Sequence, residues 1–329
     1  MGQEPLVSVV IPAYMAATRI RETLDSVYAQ TYQNFEIVLV NDGSPDTEQF
    51  EQAIRGYDQR LIYLKQNNQG PSAARNTAIR AAHGKYVACL DSDDIFLPEH
   101  LARLVAHLES NGLDLAYSDV YGKEYGVLVC TKFEREPQSP PVTFEKLLTG
   151  DCGICTSAMM ASRQAMMDAG LFDEHYRRCE DFDLWLRMSF RGAKMDLIRK
   201  VGAEHRAQPD GLASDPHLLS AARIEVYKKT FNTLPLSQEQ KQLIENLIER
   251  NTQRSEVFLM KKQLRQGRYS EARATARNVA RRPENMRVLA LACGVQVAPW
   301  AMRRYIDMRE EQARKQAHRA LLLKDENQR

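Results

Sequence analysis

Cysteine is scarce in this chain: six in 329 residues, scattered as Cys89, Cys130, Cys152, Cys155, Cys179 and Cys293. That usage excludes a small disulfide-framed scaffold and suits reduced thiols. Cys152 and Cys155 have the separation of half a zinc site, but no second pair or nearby histidine completes a tetrahedral centre. No basic, apolar leader precedes the first β-branched run, and no apolar stretch approaches the ~20 residues that span a bilayer. A cytoplasmic protein is expected. Two phosphate-binding signatures are missing as well. The first apolar run leads into Pro12-Ala13-Tyr14-Met15 rather than Gly-x-Gly-x-x-Gly, and no Gly-Lys-Ser/Thr occurs. These absences argue against dinucleotide enzymes, P-loop enzymes and nucleotidyltransferases.

The charge is nearly balanced, at +2, but unevenly placed. Residues 1–249 carry 26 basic against 35 acidic side chains, and the remainder 19 against 8, so the two parts stand near −9 and +11. A basic tail of this kind suits an anionic membrane surface or a solvated helical face. The length fits a large α/β domain with an appendage, expected over 1–232 and 233–329.

In the first part, short apolar runs alternate with helical periodicity. Val7 to Ile11, Phe35 to Val40, Leu61 to Leu64 and Tyr86 to Leu90 read as strands. Helices are expected over 18–30, from the Asn41-Asp42-Gly43-Ser44-Pro45 turn to Tyr57, over 71–82, and from Pro98 to Leu108. That alternation predicts a doubly wound, mainly parallel sheet. Beyond Asp119 the pattern loosens. A hairpin around Tyr125 to Phe133, a helix over Phe144 to Thr149, strands over Ile154 to Ala161 and Met195 to Ile198, and a helix over 180–191 are the remaining expectations. From Ser237 the chain reads as successive helices. Gly267 to Ala272, with Pro283-Glu284-Asn285, is similar to part of one tetratricopeptide unit; a single unit favours a packed appendage over a solenoid. Residues 299–323 form a basic amphipathic stretch, suited to a membrane interface or to docking on its own domain.

Chemistry concentrates where the fourth strand ends, at Asp91-Ser92-Asp93-Asp94, after a helix opened by Gly70-Pro71. Ligands of open α/β sheets bind at strand ends. An Asp-x-Asp pair there offers hard oxygens to a divalent metal, Mn²⁺ or Mg²⁺, that also holds phosphates. Three neighbouring acids repel one another unless a cation joins them, although either acid of the pair could instead cap the following turn. Asp93 is the expected metal ligand. Asp42, ending the second strand, could accept the imide N–H of uracil, or serve as a turn acid.

Taken in order, Pro12-Ala13-Tyr14, Ser26 to Gln30, Val40 to Ser44, Gly70 to Asn76, Asp91 to Asp94 and Glu180-Asp181 resemble the motifs of family 2 glycosyltransferases over roughly residues 6–206. The resemblance implies the GT-A fold, inverting transfer and a nucleotide-diphosphate sugar donor, most simply a UDP-sugar. It assigns donor binding to Pro12, Ala13, Tyr14, Asp42, Asn67, Arg75, Asp91, Ser92, Asp93 and Glu180. Tyr14 would stack on the base, Asp91 would meet the ribose or a metal-bound water, and Arg75 would hold the nucleotide or form a surface ion pair. Asp181 becomes the base that takes the acceptor hydroxyl proton, with a helix-terminus acid as its plainer reading. His205 becomes a second metal ligand or a structural histidine. Two departures stand out: Met15, where the family often has Asn, and a loosely matching segment from Ala207 to Asp215.

The resemblance implies a saccharide or lipid-linked hydroxyl acceptor, bordered by Gly150 to Tyr176, in bacterial surface polysaccharide or glycolipid synthesis, with peripheral membrane contact through the C-terminal helices and no nucleic acid partner. The alternative is an inactive GT-A domain kept as a binding or scaffold module through its basic helical tail.

Overall fold

The computed structural model describes residues 5–312 apart from 58, 125–126, 207–210, 212–213, 283–284 and 310; over 123–129 it describes no side chains. Two of the β-branched runs become buried strands, β1 (Val7–Ala13) and β2 (Phe35–Asp42). With β3 (Leu61–Gln66) and β4 (Tyr86–Cys89) they make a parallel half-sheet in the order β3-β2-β1-β4. Register aligns the carboxyl ends: Ala13 lies opposite Asn41, and Asp42 opposite Gln66. The helices α1 (Ile20–Tyr28), α2 (Thr47–Ala53) and α3 (Pro71–Ala81) connect these strands.

The second half of the sheet is mixed. β5 (Ile95–Phe96) and α4 (His100–Asn111) lead to β6 (Leu115–Glu124), whose edge partner is β7 (Val127–Thr131). After α5 (Lys132–Arg135) and α6 (Phe144–Thr149), β8 (Met159–Ser162) runs antiparallel to both β4 and β6. α7 (Arg163–Asp168) and α8 (Glu180–Phe190) then precede β9 (Met195–Arg206), parallel to β6. The strand expected over Ile154 to Ala161 is therefore shorter, because 156–158 close a single 3₁₀ turn, Ala158 N–H donating to Cys155 C=O. The one expected over Met195 to Ile198 is longer, since β9 continues along β6 to Arg206. Of the hairpin expected around Tyr125 to Phe133, β6 and β7 pair antiparallel, and residues 125–126 lie outside the described residues.

The compact units part at 209/210 rather than at 232/233. α9 (Pro216–Thr233) belongs with the helical unit because its buried Ile224, Val226 and Tyr227 accompany packing on α10 (Gln238–Arg265). The pairs Lys262–Asp215 (2.6 Å) and Ser255–His217 (2.8 Å) fasten the two helices. α11 (Tyr269–Arg281) and α12 (Met286–Val297) close a small core of Met260, Leu264, Ala272, Ala276, Val279, Ala292 and Val295. The tetratricopeptide-like Pro283-Glu284 lies outside the described residues.

Candidate active site

The ends of β1 and β2 build one wall. Pro12 and Ala13 are buried in the sheet, and the chain then emerges at Tyr14 and Met15, both exposed. Met15 takes a left-handed φ of 52°, and its N–H donates to Ser44 Oγ at 2.7 Å. Ala17 N–H donates to Asp46, so the two strand-end loops are tied together. Asp42 is buried, and its carboxylate accepts from Gln66 Nε2 (2.8 Å), Gln69 N–H (2.9 Å) and Gly70 N–H (2.8 Å). It fixes the turn that opens α3, a role its own Asp-Gly-Ser context did not reveal. Three of about four acceptor positions are thereby used. Asn67 lies exposed on the same loop, and Gly43, at φ +64°, lets the β2 turn press against it: an added Cβ would stand 2.5 Å from Asn68 N.

The three acids after β4 meet different fates. Asp91 accepts from Arg75 Nη2 at 2.6 Å, and its own N–H donates to Ser157 Oγ. Asp94 is fully buried, accepting from Arg206 N–H (2.9 Å) and pairing with His205 Nδ1 at 3.1 Å. Asp93 has the Arg19 guanidinium at 3.7 Å as its ion-pair partner. Burial first, then the Asp94 and Asp91 charges, push its carboxyl up to about 6. Ser92 contributes its carbonyl, which accepts from Thr23 Oγ1 of α1. Ser26 and Gln30, also part of the sequence motifs, brace the following segment: Ser26 Oγ accepts from Phe96 N–H, and Gln30 bonds Leu97 C=O and Leu101 N–H.

Arg75 is buried rather than on the surface. Its guanidinium joins Asp91 to Glu180 Oε1 (2.8 Å) and lies over the Phe172 ring. Opposed carboxylates are what allow a buried guanidinium to stay charged. The bridge brings the first turn of α8 to the β4 end. Glu180 is thus spent on Arg75, with burial raising its carboxyl above the usual range. Next to it, Asp181 accepts from Thr156 Oγ1 at 2.9 Å. The 3₁₀ turn at 156–158 therefore serves both acids, Thr156 on Asp181 and Ser157 on Asp91. Neither was singled out from sequence, where they sat inside an unassigned acceptor segment.

The family model for glycosyl transferase family 2 matches residues 8–170. An uncharacterized glycosyltransferase of Methanocaldococcus jannaschii is 31% identical over 209 residues, covering 62% of this chain and 71% of that one. The chain belongs to glycosyl transferase family 2. It is also similar to a UDP-Glc:alpha-D-GlcNAc-diphosphoundecaprenol beta-1,3-glucosyltransferase of Escherichia coli, at 28% identity over 64% of this chain and 80% of that one. Other relatives are longer; the chain spans 33% of an uncharacterized glycosyltransferase of Rickettsia bellii. Among solved structures, S. aureus TarS 1–349 with UDP-GlcNAc superposes with a TM-score of 0.63 at 19% identity, over 93% of this chain and 92% of that one. A Pyrobaculum calidifontis mannosyltransferase with GDP-Man and Mn²⁺ gives the same TM-score at 18% identity, over 93% and 84%. These likenesses establish a glycosyltransferase fold, an α/β sheet with a C-terminal helical region.

Whether a divalent ion fits this transferase is decided by its donors. Among the described residues no group of three or more His, Cys, Asp and Glu side chains is gathered as a ready metal cage. The crowded carboxyl of Asp93 nonetheless favours a cation beside it, and a manganese- or magnesium-type site needs only one or two carboxylates when phosphates supply the rest. His205, placed by its Asp94 hydrogen bond, has the orientation device of metal-ligating histidines. As it stands that bond is the largest cause raising His205 to about 9. The cysteine pair carries no such device: Cys152 bonds the Ser139 carbonyl, and Cys155 is a part-buried thiol that desolvation pushes up to about 12.

No helix among the described residues is long and apolar enough to cross a membrane.

Proposed function

We propose that this transferase moves a sugar from a UDP-sugar to a hydroxyl acceptor with inversion, in the assembly of a bacterial surface polysaccharide or glycolipid. The observation that carries the reading is the buried Asp91–Arg75–Glu180 bridge, which holds Asp181 beside the acids at the β4 end. Donor and base would thus share one rigid frame, the condition for in-line attack.

In this reading Tyr14 offers its exposed ring to the base, Asp42 and Asn67 shape the pocket floor, and Asp91 and Ser92 border the ribose. Asp181 takes the proton of the acceptor hydroxyl as that oxygen attacks the anomeric carbon from the face opposite the diphosphate. The bond from that carbon to the diphosphate oxygen breaks, and its electron pair leaves with the nucleoside diphosphate. A divalent ion held by Asp93 and His205 would offset the charge of that leaving group. Support for a uridine donor comes from the two UDP-linked proteins named above; Asp42 retains room for about one further donor.

Titration calorimetry with UDP, GDP and dTDP, each with and without Mn²⁺, tests this directly. UDP binding that requires Mn²⁺ and is lost in Asp93→Ala is the expected outcome. Binding of none of the three, or tight metal-independent binding of another nucleotide, would overturn it.

A further inference from the structure

Near the end of its described part the helical unit has a helix over 299–309, and residues 311–312 are helical as well. One edge of that helix is already docked. Ile306 is buried in the small core, and Met302 packs against it and against Gly294, where an added Cβ would meet Met302 Sδ at 2.6 Å. At about 100° per residue, Trp300, Arg304 and Met308 fall on a different side, flanked by Tyr305. They are exposed there: Trp300 by 62%, Met308 by 49% and Tyr305 by 48%, with Val297 at 81% just before the helix. Packing within its own unit therefore consumes one apolar edge and leaves a second exposed among the described residues. Large apolar side chains clustered at the surface mark an interaction site more often than scattered ones do.

Arginines border this face. The described residues 299–312 include two acids: Asp307, engaged by Arg265 (3.6 Å) and Arg303 (3.9 Å), and Glu311, one turn beyond Met308. Arg304 and Arg309 stand exposed beside the apolar residues. Residues 210–329 as a whole carry 23 Lys and Arg against 14 Asp and Glu. Aromatic and aliphatic tips next to arginines fit the boundary between acyl chains and anionic headgroups. Indole and phenol rings favour that layer because one end is apolar and the other can hydrogen-bond.

We propose that Val297, Trp300, Tyr305 and Met308 enter the headgroup boundary of an anionic bilayer while Arg304 and Arg309 meet its phosphates. This contact lies outside the transfer site and does not depend on the donor assigned above.

The full chain would be co-sedimented with vesicles of phosphatidylcholine alone and with about a third phosphatidylglycerol, a fraction that gives a clearly negative surface potential. Binding to the anionic vesicles, weakened about tenfold or more by Arg304→Glu with Arg309→Glu and by high salt, is expected. Trp300→Ser with Met308→Gln should lower it comparably, and since both positions are exposed the fold should persist, as unchanged circular dichroism would verify. Equal partitioning on both vesicle types, or binding indifferent to both double variants, would overturn the proposal. So would light scattering that finds a dimer dissociated by Trp300→Ser in a chain that ignores vesicles, since the face would then belong to a second copy.

Discussion

Asp181 and Glu180 are adjacent acids in one helical turn, yet their surroundings divide their labour. Glu180 is paired with a buried guanidinium, while Asp181 accepts only from neutral donors, Thr156 Oγ1 on one oxygen and Phe182 N–H on the other, so each oxygen keeps a lone pair for a proton. Asp181→Asn should lower transfer by 10²-fold or more, in the range of a lost general base, with UDP affinity changed less than about twofold, under 0.5 kcal/mol. Thr156→Val removes the hydroxyl that holds Asp181 without removing the acid. Its expected signature is a roughly tenfold fall in kcat with donor KM unchanged, since it acts through orientation, and recovery in Thr156→Ser. An unaltered kcat in Thr156→Val would mean that the hydrogen bond is incidental. Arg75→Lys tests the bridge itself. One ammonium lacks the planar fork that reaches Asp91 and Glu180 together. An uncompensated buried charge then costs about 3–5 kcal/mol. Urea unfolding should register that loss, and a change under about 1 kcal/mol, the worth of an exposed pair, would show that the bridge is dispensable.

The loops, as elements, explain what could be read in advance and what could not. β1 and β2 were legible because β-branched runs buried on both faces leave a continuous apolar signal, β4 because its four residues are all apolar and buried, and α3 because Gly70-Pro71 announces its start. The acids at the β4 end were legible for the same reason, since a strand fixes where its end lies. β5, only two residues long, and the 156–158 turn have no periodicity to read. The partners of Asp42 lie 24 to 28 residues away and become neighbours only through the β2–β3 register. That register also explains Gly43. Alanine there would carry an unfavourable left-handed φ and push its Cβ into the backbone at Asn68. Gly43→Ala should cost about 2 kcal/mol or more, the left-handed penalty plus displacement, and weaken UDP binding about tenfold, equivalent to 1.4 kcal/mol. Gly56 has a φ of +94° with nothing near its added Cβ, so Gly56→Ala should show the strain without the binding loss. Equal effects of the two substitutions on UDP affinity would detach Gly43 from the pocket.

Acid sensitivity of the whole molecule follows from His100, where the mixed half of the sheet meets α4. The ring is buried against Phe96, with centroids 4.4 Å apart, and it lies so close to Gly202 that no side chain fits there. Nδ1 stands 3.5 Å from Ser118 Oγ, and Nε2 has no hydrogen-bond partner among the described residues. Burial first and then the Arg103 charge push His100 down to about 3 from an unfolded value near 6.5. Because the folded pKa is the lower one, the unfolded chain binds the proton more readily. Stability is therefore intact above about pH 6.5 and falls as pH drops towards 3, by about 1.4 kcal/mol per pH unit. Between pH 7.5 and pH 5 that slope amounts to about 2 kcal/mol. Urea titrations at the two pH values should recover this difference in the wild type and lose most of it in His100→Asn, which cannot take up the proton. An equal pH dependence in His100→Asn would assign the acid sensitivity to other groups and leave His100 as packing alone.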